Sequence, residues 1–185
     1  MLPELLQKVS LFRILYQIDA DLSKQQQQQR CPYCIGPLHQ SNYARKPRGG
    51  PKNIPDEYMI RHSLCCGRED CRRRTLPPSC RFMGRRVYWG CVILVVMTLR
   101  QNRQDGQLVR RLLEQLEISR ETLKQWIVYF RDEFPTGSWW QGLRGRISPS
   151  IGNNELPGRL VHYFLESFQT PAQGLIGCCR FLASG

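Results

Sequence analysis

The sequence predicts a mainly α-helical protein that carries one small β-rich unit. Three observations support this fold class. Apolar residues recur at three- and four-residue steps in several stretches, as the buried face of a helix requires. Two close cysteine pairs stand about thirty residues apart, and turn-forming glycines and prolines lie between them. At 185 residues, 41% of them hydrophobic, the chain is long enough for one mid-sized domain or two small ones.

Positive charge is concentrated in one part of the chain. The formal net charge is +12, and residues 30–86 hold thirteen basic and four acidic residues. Residues 1–29 hold three of each, and residues 87–185 hold eleven basic and eight acidic. A focused basic patch favours a polyanionic partner, with nucleic acid first and an anionic membrane surface second. The simpler alternative is a charged face that keeps the protein in solution.

The basic segment contains two cysteine clusters, Cys31-Pro32-Tyr33-Cys34 and Cys65-Cys66 followed by Cys71. Two such pairs separated by a β-hairpin are typical of a zinc ribbon, in which four thiolates hold one structural ion. We predict Zn²⁺ bound by Cys31, Cys34, Cys66 and Cys71. Cys66 is favoured over the alternative Cys65 because the loop from Cys66 to Cys71 is shorter. His62 could in principle ligate as well, but a lone histidine on a strand is more often a surface or core residue.

The first motif has the same four letters as the active site of glutaredoxins. Thiol–disulfide exchange of that kind needs an apolar strand before the motif and a helix directly after it. Here five glutamines and an arginine precede the motif, and Gly36 and Pro37 break any helix behind it. Nine cysteines, an odd count without a secretory signal, also argue against a disulfide framework. We therefore favour a metal site.

The arms of the predicted hairpin lie at residues 38–43 and 58–64. The loop between them contains Arg45, Lys46 and Arg48 among glycines and prolines, as expected of an exposed turn. We expect these three side chains to contact a phosphate backbone.

An arginine run, Arg72-Arg73-Arg74, follows the last cysteine and opens a connector that extends to residue 86. Pro77-Pro78 excludes a regular helix or a central strand there. Because an irregular connector lacks the geometry to read bases, we predict that these arginines contact phosphates.

Amphipathic patterns predict helices at residues 4–23, 87–102, 107–117, 120–134 and 156–168. The glutamine run at 25–29 either prolongs the first helix or acts as a linker. The longest apolar run, residues 87–99, is too short for a bilayer, which needs about twenty residues. We expect a cytoplasmic, nucleoid-associated protein without a membrane partner.

Residues 107–134 have the pattern of a helix-turn-helix. Ile118 is the buried aliphatic residue of the turn, and Ser119 can cap the helix that follows. With the helix from residue 87 this pattern predicts a three-helix unit. The residues that could contact bases or phosphates are Arg120, Lys124, Gln125 and Arg131. The alternative is an ordinary helical hairpin with a solvated face.

These features divide the chain into four segments. Residues 1–29 form an amphipathic helix with a glutamine-rich linker, and residues 30–79 form the ribbon with its basic connector. Residues 80–135 hold the helix-turn-helix, and residues 136–185 form a helical extension. In that extension Trp139 and Trp140 are expected to cap the core, with base stacking as the alternative.

Together, the cysteine knuckles, the arginine run at 72–74 and the stretch at 118–126 resemble the N-terminal DNA-binding part of bacterial insertion-sequence transposases. The resemblance covers about residues 30–135. It implies binding to the terminal repeats of a mobile element or repression of its promoter. Such transposases also carry a nuclease fold with three carboxylates, whereas Glu155 and Glu166 are the only acids after residue 135. Strand cleavage is therefore not expected.

We expect a non-enzymatic, zinc-containing DNA-binding protein of transposase-associated type. Its expected partner is duplex DNA, and a transposase catalytic subunit and a second copy of the chain, as a homodimer, are further candidates. One alternative is the DNA-binding subunit of a split transposase whose catalysis lies on another chain. The other is an RNA-binding or ribosome-associated zinc-ribbon protein.

Overall fold

The computed structural model describes residues 2–102, 106–147 and 151–184. In these ranges the protein is mainly helical with a small β part, as predicted. The helices are α1 (Leu2–Leu5), α2 (Val9–Gln28), α3 (Gly90–Gln101), α4 (Gly106–Gln115), α5 (Arg120–Val128), α6 (Ser138–Arg144), α7 (Gly158–Ser167) and α8 (Pro171–Ala183). The strands are β1 (Leu38–Gln40), β2 (Tyr43–Ala44), β3 (Ile60–Arg61), β4 (Leu64–Cys66) and β5 (Arg74–Thr75). Across the described residues, no helix combines the length and apolar composition that a bilayer span requires.

The predicted hairpin forms, but each of its arms is split into two strands. β1 pairs with β4 in one sheet, and β2 pairs with β3 in another, both antiparallel. The amide of Ser63 donates to the Asn42 side chain, at 3.1 Å, at the point where the arms change sheet. An asparagine side chain that replaces a backbone acceptor interrupts the ladder and bends the hairpin.

A third strand, β5, joins the first sheet in the order β1-β4-β5. Arg74 lies opposite Cys65, and Thr75 lies opposite Leu64. The expectation of an irregular connector from residue 72 onward is therefore wrong for Arg74. The two prolines that follow end the strand, because proline cannot donate to a ladder.

The first predicted helix is two helices. Lys8 has extended backbone angles and separates α1 from α2. α2 buries Leu11, Phe12 and Leu15 and continues through the glutamine run to Gln28. The side chain of Gln27 donates to the carbonyl of Leu38 at 3.0 Å, so the end of α2 also supports the hairpin.

α3 lies at the centre of the main core, and its residues from Gly90 to Leu99 are all buried. Each fully buried Val, Leu or Ile contributes about 1.5–3 kcal/mol relative to exposure. The helix begins three residues later than predicted because the preceding residues pair with the hairpin loop. Arg48 donates its amide to the Val87 carbonyl, and its own carbonyl accepts from the Trp89 amide.

The core around α3 contains buried residues from Leu5 to Ala183 and so draws on all four predicted segments. A second, much smaller cluster consists of Cys31, Leu38, Leu64 and Cys66. The cysteine unit thus has almost no apolar core of its own.

α4 and α5 are joined by the predicted turn. Ile118 is buried, and the Ser119 hydroxyl accepts from the Thr122 amide at 3.1 Å, as an N-cap does. α5 is shorter than predicted, because residues 129–133 form a π-helical turn and the Phe134 amide bonds to the Tyr129 carbonyl. This geometry is compatible with a helix-turn-helix, whose role in DNA binding stays a prediction.

The segment after residue 135 holds two helices more than predicted, α6 and α8. α8 packs along α7 and buries Cys178 and Cys179 in the main core. Thr170 and Gln173 form a capping box at its start, a signal that is present in the sequence. Trp140 is buried as expected, whereas Trp139 is 37% exposed and Phe168 is 45% exposed.

A buried ion pair ties α2 to the connector. Asp19 accepts from the guanidinium of Arg81 at 2.8 Å, and neither side chain has any exposed surface. Asp19 also accepts from the Ser79 hydroxyl and from the amide of Cys80. The same guanidinium donates to the carbonyls of Tyr58 and Ile60. One network therefore joins the first long helix, the second hairpin arm and the connector.

Gly174 is expected to be intolerant of any side chain. A Cβ there would lie 2.8 Å from Cα of Leu165 and 2.9 Å from the carbonyl oxygen of Phe164. These are backbone atoms of α7, so the two helices would have to separate. We expect Gly174→Ala to lower the free energy of unfolding by about 1–3 kcal/mol.

Gly142 in α6 supplies the control, because a Cβ there meets no atom within 4 Å. Gly142→Ala should be neutral or stabilise by up to about 1 kcal/mol through helix propensity. Denaturant unfolding of both variants measures the difference. Equal stability of Gly174→Ala and the wild type would contradict the close packing of α7 on α8.

Candidate metal centre

The four cysteines predicted as ligands lie together at one end of the hairpin. All four sulfur atoms are within 4.8 Å of one another. Cys31 and Cys66 are buried, and Cys34 and Cys71 are half-buried. Sγ of Cys34 lies 3.4 Å from Sγ of Cys66, and Sγ of Cys31 lies 3.8 Å from Sγ of Cys71. The group could therefore coordinate a metal ion.

The spacing of the sulfurs suits a tetrahedral ion and excludes disulfides. With metal–sulfur bonds of about 2.3 Å, the sulfurs of a tetrahedral site lie about 3.8 Å apart. A disulfide would bring two of them to about 2.05 Å. Every thiol of the cluster is free, and the shortest separation is 3.4 Å.

Backbone amides surround the sulfurs on both knuckles. Each sulfur accepts a hydrogen bond from the backbone amide two residues further along the chain; these amides belong to Tyr33, Gly36, Arg68 and Arg73. The sulfur of Cys31 also accepts from the amide of Cys34. Amides that point at a sulfur favour its thiolate form, which is the form that binds metal, but burial and the neighbouring thiols still leave the pKa values of Cys34, Cys66 and Cys71 raised. The two knuckles thus have matching local geometry.

The first thiol of the cluster ionises more readily than an ordinary cysteine. Burial raises the pKa of Cys31, but hydrogen bonds from the amides of Tyr33 and Cys34 outweigh it and lower the pKa to about 7. Metal binding to thiols releases protons. A thiol that is already partly ionised near neutral pH gives up its proton at low cost.

The alternation of side chains along β4 separates Cys66 from Cys65. Successive residues of a strand point to opposite faces. Cys66 points into the cluster, whereas the thiol of Cys65 points away and donates to the carbonyls of Cys66 and Arg72. The loop-length argument also favoured Cys66 as the ligand, but the alternation of side chains along β4 is the physical reason.

His62 is not part of the cluster. It is buried between α2 and the hairpin, with its ring 5.7 Å from the ring of Tyr16. Burial and the positive charge of Arg81 lower its pKa. His62 is thus a core residue, the favoured interpretation, and its place in the fold is beside the buried ion pair.

The second knuckle closes over the first through Arg68. Its side chain lies against Gly36, where a Cβ would be 2.8 Å from two carbons of Arg68. The guanidinium pairs with Asp70 at 2.9 Å and is attracted to the sulfurs of Cys34 and Cys66. A divalent ion bound by four thiolates has a net negative charge, so nearby arginines stabilise the loaded site.

The arginine run at 72–74 directly follows the last cysteine of the cluster and lies on the surface of the protein. Arg72, Arg73 and Arg74 are all exposed, and within the described chain none of them pairs with a carboxylate. Arg73 lies over the ring of Tyr33 at 4.5 Å, and Arg74 lies over the ring of Tyr43 at 5.6 Å. Arg74 also donates to the hydroxyl of Ser41 at 3.3 Å.

The hairpin loop is less free than predicted. Arg45 donates to the carbonyls of Gly84 and Arg86, at 3.0 and 2.8 Å, and lies over the ring of Phe82. Its guanidinium therefore joins the hairpin to the connector instead of extending into solvent as expected. The side chains of Lys46 and Arg48 are exposed.

The candidate residues of the helix-turn-helix are on the surface. Arg120, Lys124 and Gln125 are exposed on α5, and Lys124 is 3.8 Å from Glu121. Arg131 lies beyond the end of α5, in the π-helical turn, and pairs with Asp132 at 2.7 Å. Exposed pairs of this kind hold a side chain only weakly.

Sequence reasoning missed the exposed tip of the first knuckle. Tyr33 and Ile35 are among the large hydrophobic side chains that the structure leaves in solvent. The signal in the sequence was an isoleucine directly after the second cysteine, where the chain has to turn.

Comparison with models of protein families, with curated proteins and with solved structures found no match to this chain. The resemblance to transposases thus depends on the motifs alone.

Proposed function

We propose that this chain is a zinc-stabilised DNA-binding protein in which the metal is structural. The proposal combines the four-thiol cluster, the exposed arginines beside it and the capped helix α5. The cluster concerns the metal, the arginines concern the DNA backbone, and α5 concerns the reading of bases.

The donor set favours Zn²⁺. Four thiolates at tetrahedral spacing are a soft ligand set that suits zinc or an iron centre, and small knuckle pairs most often hold zinc. Four protein ligands fill the coordination shell and leave no position for a water molecule. The proposed role of the ion is therefore to fix the fold of the hairpin, and no catalysis is proposed.

The observation that carries the DNA-binding proposal is the arginine run beside this centre. Arg72 directly follows the ligand Cys71, so the position of the run is fixed by the metal site. The three guanidinium groups have no acidic partner in the described chain, and their charge is free for a polyanion. Arginine pairs well with phosphate because its planar fork can donate two hydrogen bonds.

α5 supplies the proposed sequence-reading element. It follows a tight turn, has a serine N-cap and exposes Arg120, Lys124 and Gln125. In helix-turn-helix proteins the second helix lies in the major groove and its first residues contact base edges. The proposed link to mobile elements depends on the resemblance of these motifs to transposase DNA-binding parts.

Two variants separate backbone binding from base reading. Arg73→Ala should weaken binding about equally for all sequences and flatten the salt dependence by about one unit of slope, because one phosphate contact is lost. Gln125→Ala should change sequence preference, because a glutamine that pairs with adenine discriminates by about 1–3 kcal/mol.

The measurement starts with selection of bound duplexes from a random pool. Both variants are then titrated against a selected site and a scrambled duplex at several salt concentrations. Uniform loss by both variants would show that α5 does not read bases. Stronger binding to single-stranded RNA than to either duplex would favour the alternative of an RNA-binding ribbon protein, and no nucleic-acid binding would contradict the proposal.

A further inference from the structure

The tip of the first knuckle exposes two large apolar side chains. Ile35 is 73% exposed and Tyr33 is 60% exposed, more than any other large hydrophobic residue in the described part of the chain. Both belong to the short turn that carries Cys34. Because these side chains stay in solvent, they contribute no burial energy to the stability of the fold. Folding alone therefore does not explain why large apolar residues stand here.

Ile35 also has an unfavourable backbone conformation. Its φ is +60°, a region in which a β-branched residue is strained and a glycine is not. Its amide donates to the Cys31 carbonyl at 2.8 Å, which holds the turn in this shape around the cluster. A glycine would therefore form the knuckle more easily. Strain of this kind is concentrated at functional positions.

The surroundings of the tip are cationic. The Arg73 guanidinium covers the Tyr33 ring at 4.5 Å, and Arg72 is exposed next to it. Of the two acidic residues of the second knuckle, Asp70 is paired with Arg68 and Glu69 is exposed, against the arginines at 68 and 72–74. An apolar tip beside arginines that have no acidic partner in the described chain fits a partner with stacked apolar surfaces and a negatively charged backbone.

Duplex DNA is such a partner. Proteins insert apolar side chains between base steps and kink the duplex, while arginines contact the adjacent phosphates. The tip is well prepared for this because its turn is fixed by hydrogen bonds and by the cysteine cluster. A fixed tip loses little conformational entropy on binding.

We propose that Tyr33 and Ile35 insert between stacked bases of duplex DNA while Arg73 contacts the phosphate beside them. The inference rests on the proposed function and adds that the DNA is bent at the metal centre. In this arrangement Ile35 separates two stacked bases, and Tyr33 stacks on the base that Ile35 exposes.

Ile35→Gly tests the inference, because it separates binding from folding. Since the glycine relieves strain, the variant should keep its metal against a chelator and should unfold at an equal or higher denaturant midpoint. It should nevertheless bind a selected duplex about 10-fold more weakly and no longer bend it. Affinity is measured by titration, and bending by energy transfer between dyes at the two duplex ends.

Val87→Ala is the matched control, because Val87 is 58% exposed and lies outside the knuckle. This variant should bind and bend the duplex as the wild type does. If Ile35→Gly binds and bends the duplex as the wild type does, or if Val87→Ala loses as much affinity as Ile35→Gly, the proposed insertion of Ile35 is overturned while DNA binding stands. Metal loss or an earlier unfolding midpoint in Ile35→Gly would overturn the strain argument. If the wild type binds no duplex, the proposed function fails together with the proposed insertion.

Discussion

Cys66→Ser is expected to abolish metal binding, whereas Cys65→Ser keeps it. The two residues are neighbours with the same chemistry, but the thiol of Cys66 lies in the four-sulfur cluster and the thiol of Cys65 points away from it. Loss of a direct ligand should lower affinity by more than the roughly 10–100-fold that loss of a supporting residue costs. The wild type should hold about one zinc ion per chain.

Metal content of the purified variants checks this directly, and Cys31→Ser and Cys71→Ser should behave as Cys66→Ser does. Full occupancy in these three variants would contradict the four-thiol site. Equal losses in Cys65→Ser and Cys66→Ser would contradict the side-chain alternation of β4.

Removal of the metal should unfold one part of the protein only. Beside its cysteines, the small cluster contains just Leu38 and Leu64, which is too little apolar surface to fold alone. Chelation should therefore remove hydrogen-exchange protection from β1, β4 and β5. α3 should stay protected because it belongs to the main core. Loss of protection in α3 at the same chelator concentration would show that the two parts fold as one unit.

Asp19→Asn is expected to be the most damaging single change in the main core. It leaves the Arg81 guanidinium buried without a counter-charge, and neither side chain of the original pair has exposed surface. Removal of one member of a buried pair costs about 3–5 kcal/mol, because the other charge has no water to solvate it. Denaturant unfolding is the measurement.

Two controls separate burial from charge. Asp132→Asn breaks an exposed pair with Arg131 and should change stability far less. The double change Asp19→Leu with Arg81→Met removes both charges. It should lower the free energy of unfolding less than Asp19→Asn does, because no unpaired charge remains buried. If Asp19→Asn unfolds at the same denaturant concentration as Asp132→Asn, the buried network does not stabilise the fold.

Features that depend on short spacing were predicted from the sequence. The cysteine quartet follows from two local knuckles, and the turn at Ile118 and Ser119 follows from a cap and one buried aliphatic residue. The turn and each separate knuckle are set by residues a few positions apart, where local geometry leaves few choices. The two knuckles are joined across the hairpin because one ion of this kind needs four thiolates.

Features that depend on distant partners were not predicted. Arg45 has its guanidinium on carbonyls about forty positions away, and Asp19 pairs with a residue sixty-two positions away. No local pattern marks either contact. β5 was missed for another reason: its partner β4 is near in the sequence, but a two-residue strand followed by prolines shows no strand pattern of its own.

The contact of α1 and α2 with α8 has a consequence for synthesis on the ribosome. The apolar stripe of α2 lacks part of its cover until the last described helix has emerged, so the main core closes late. The cysteine cluster is complete once residue 71 is exposed, which is well before that point. If the cluster binds an ion as proposed, ion capture can therefore precede closure of the helical core, and a nascent chain would hold a finished metal knuckle before α2 packs against α8.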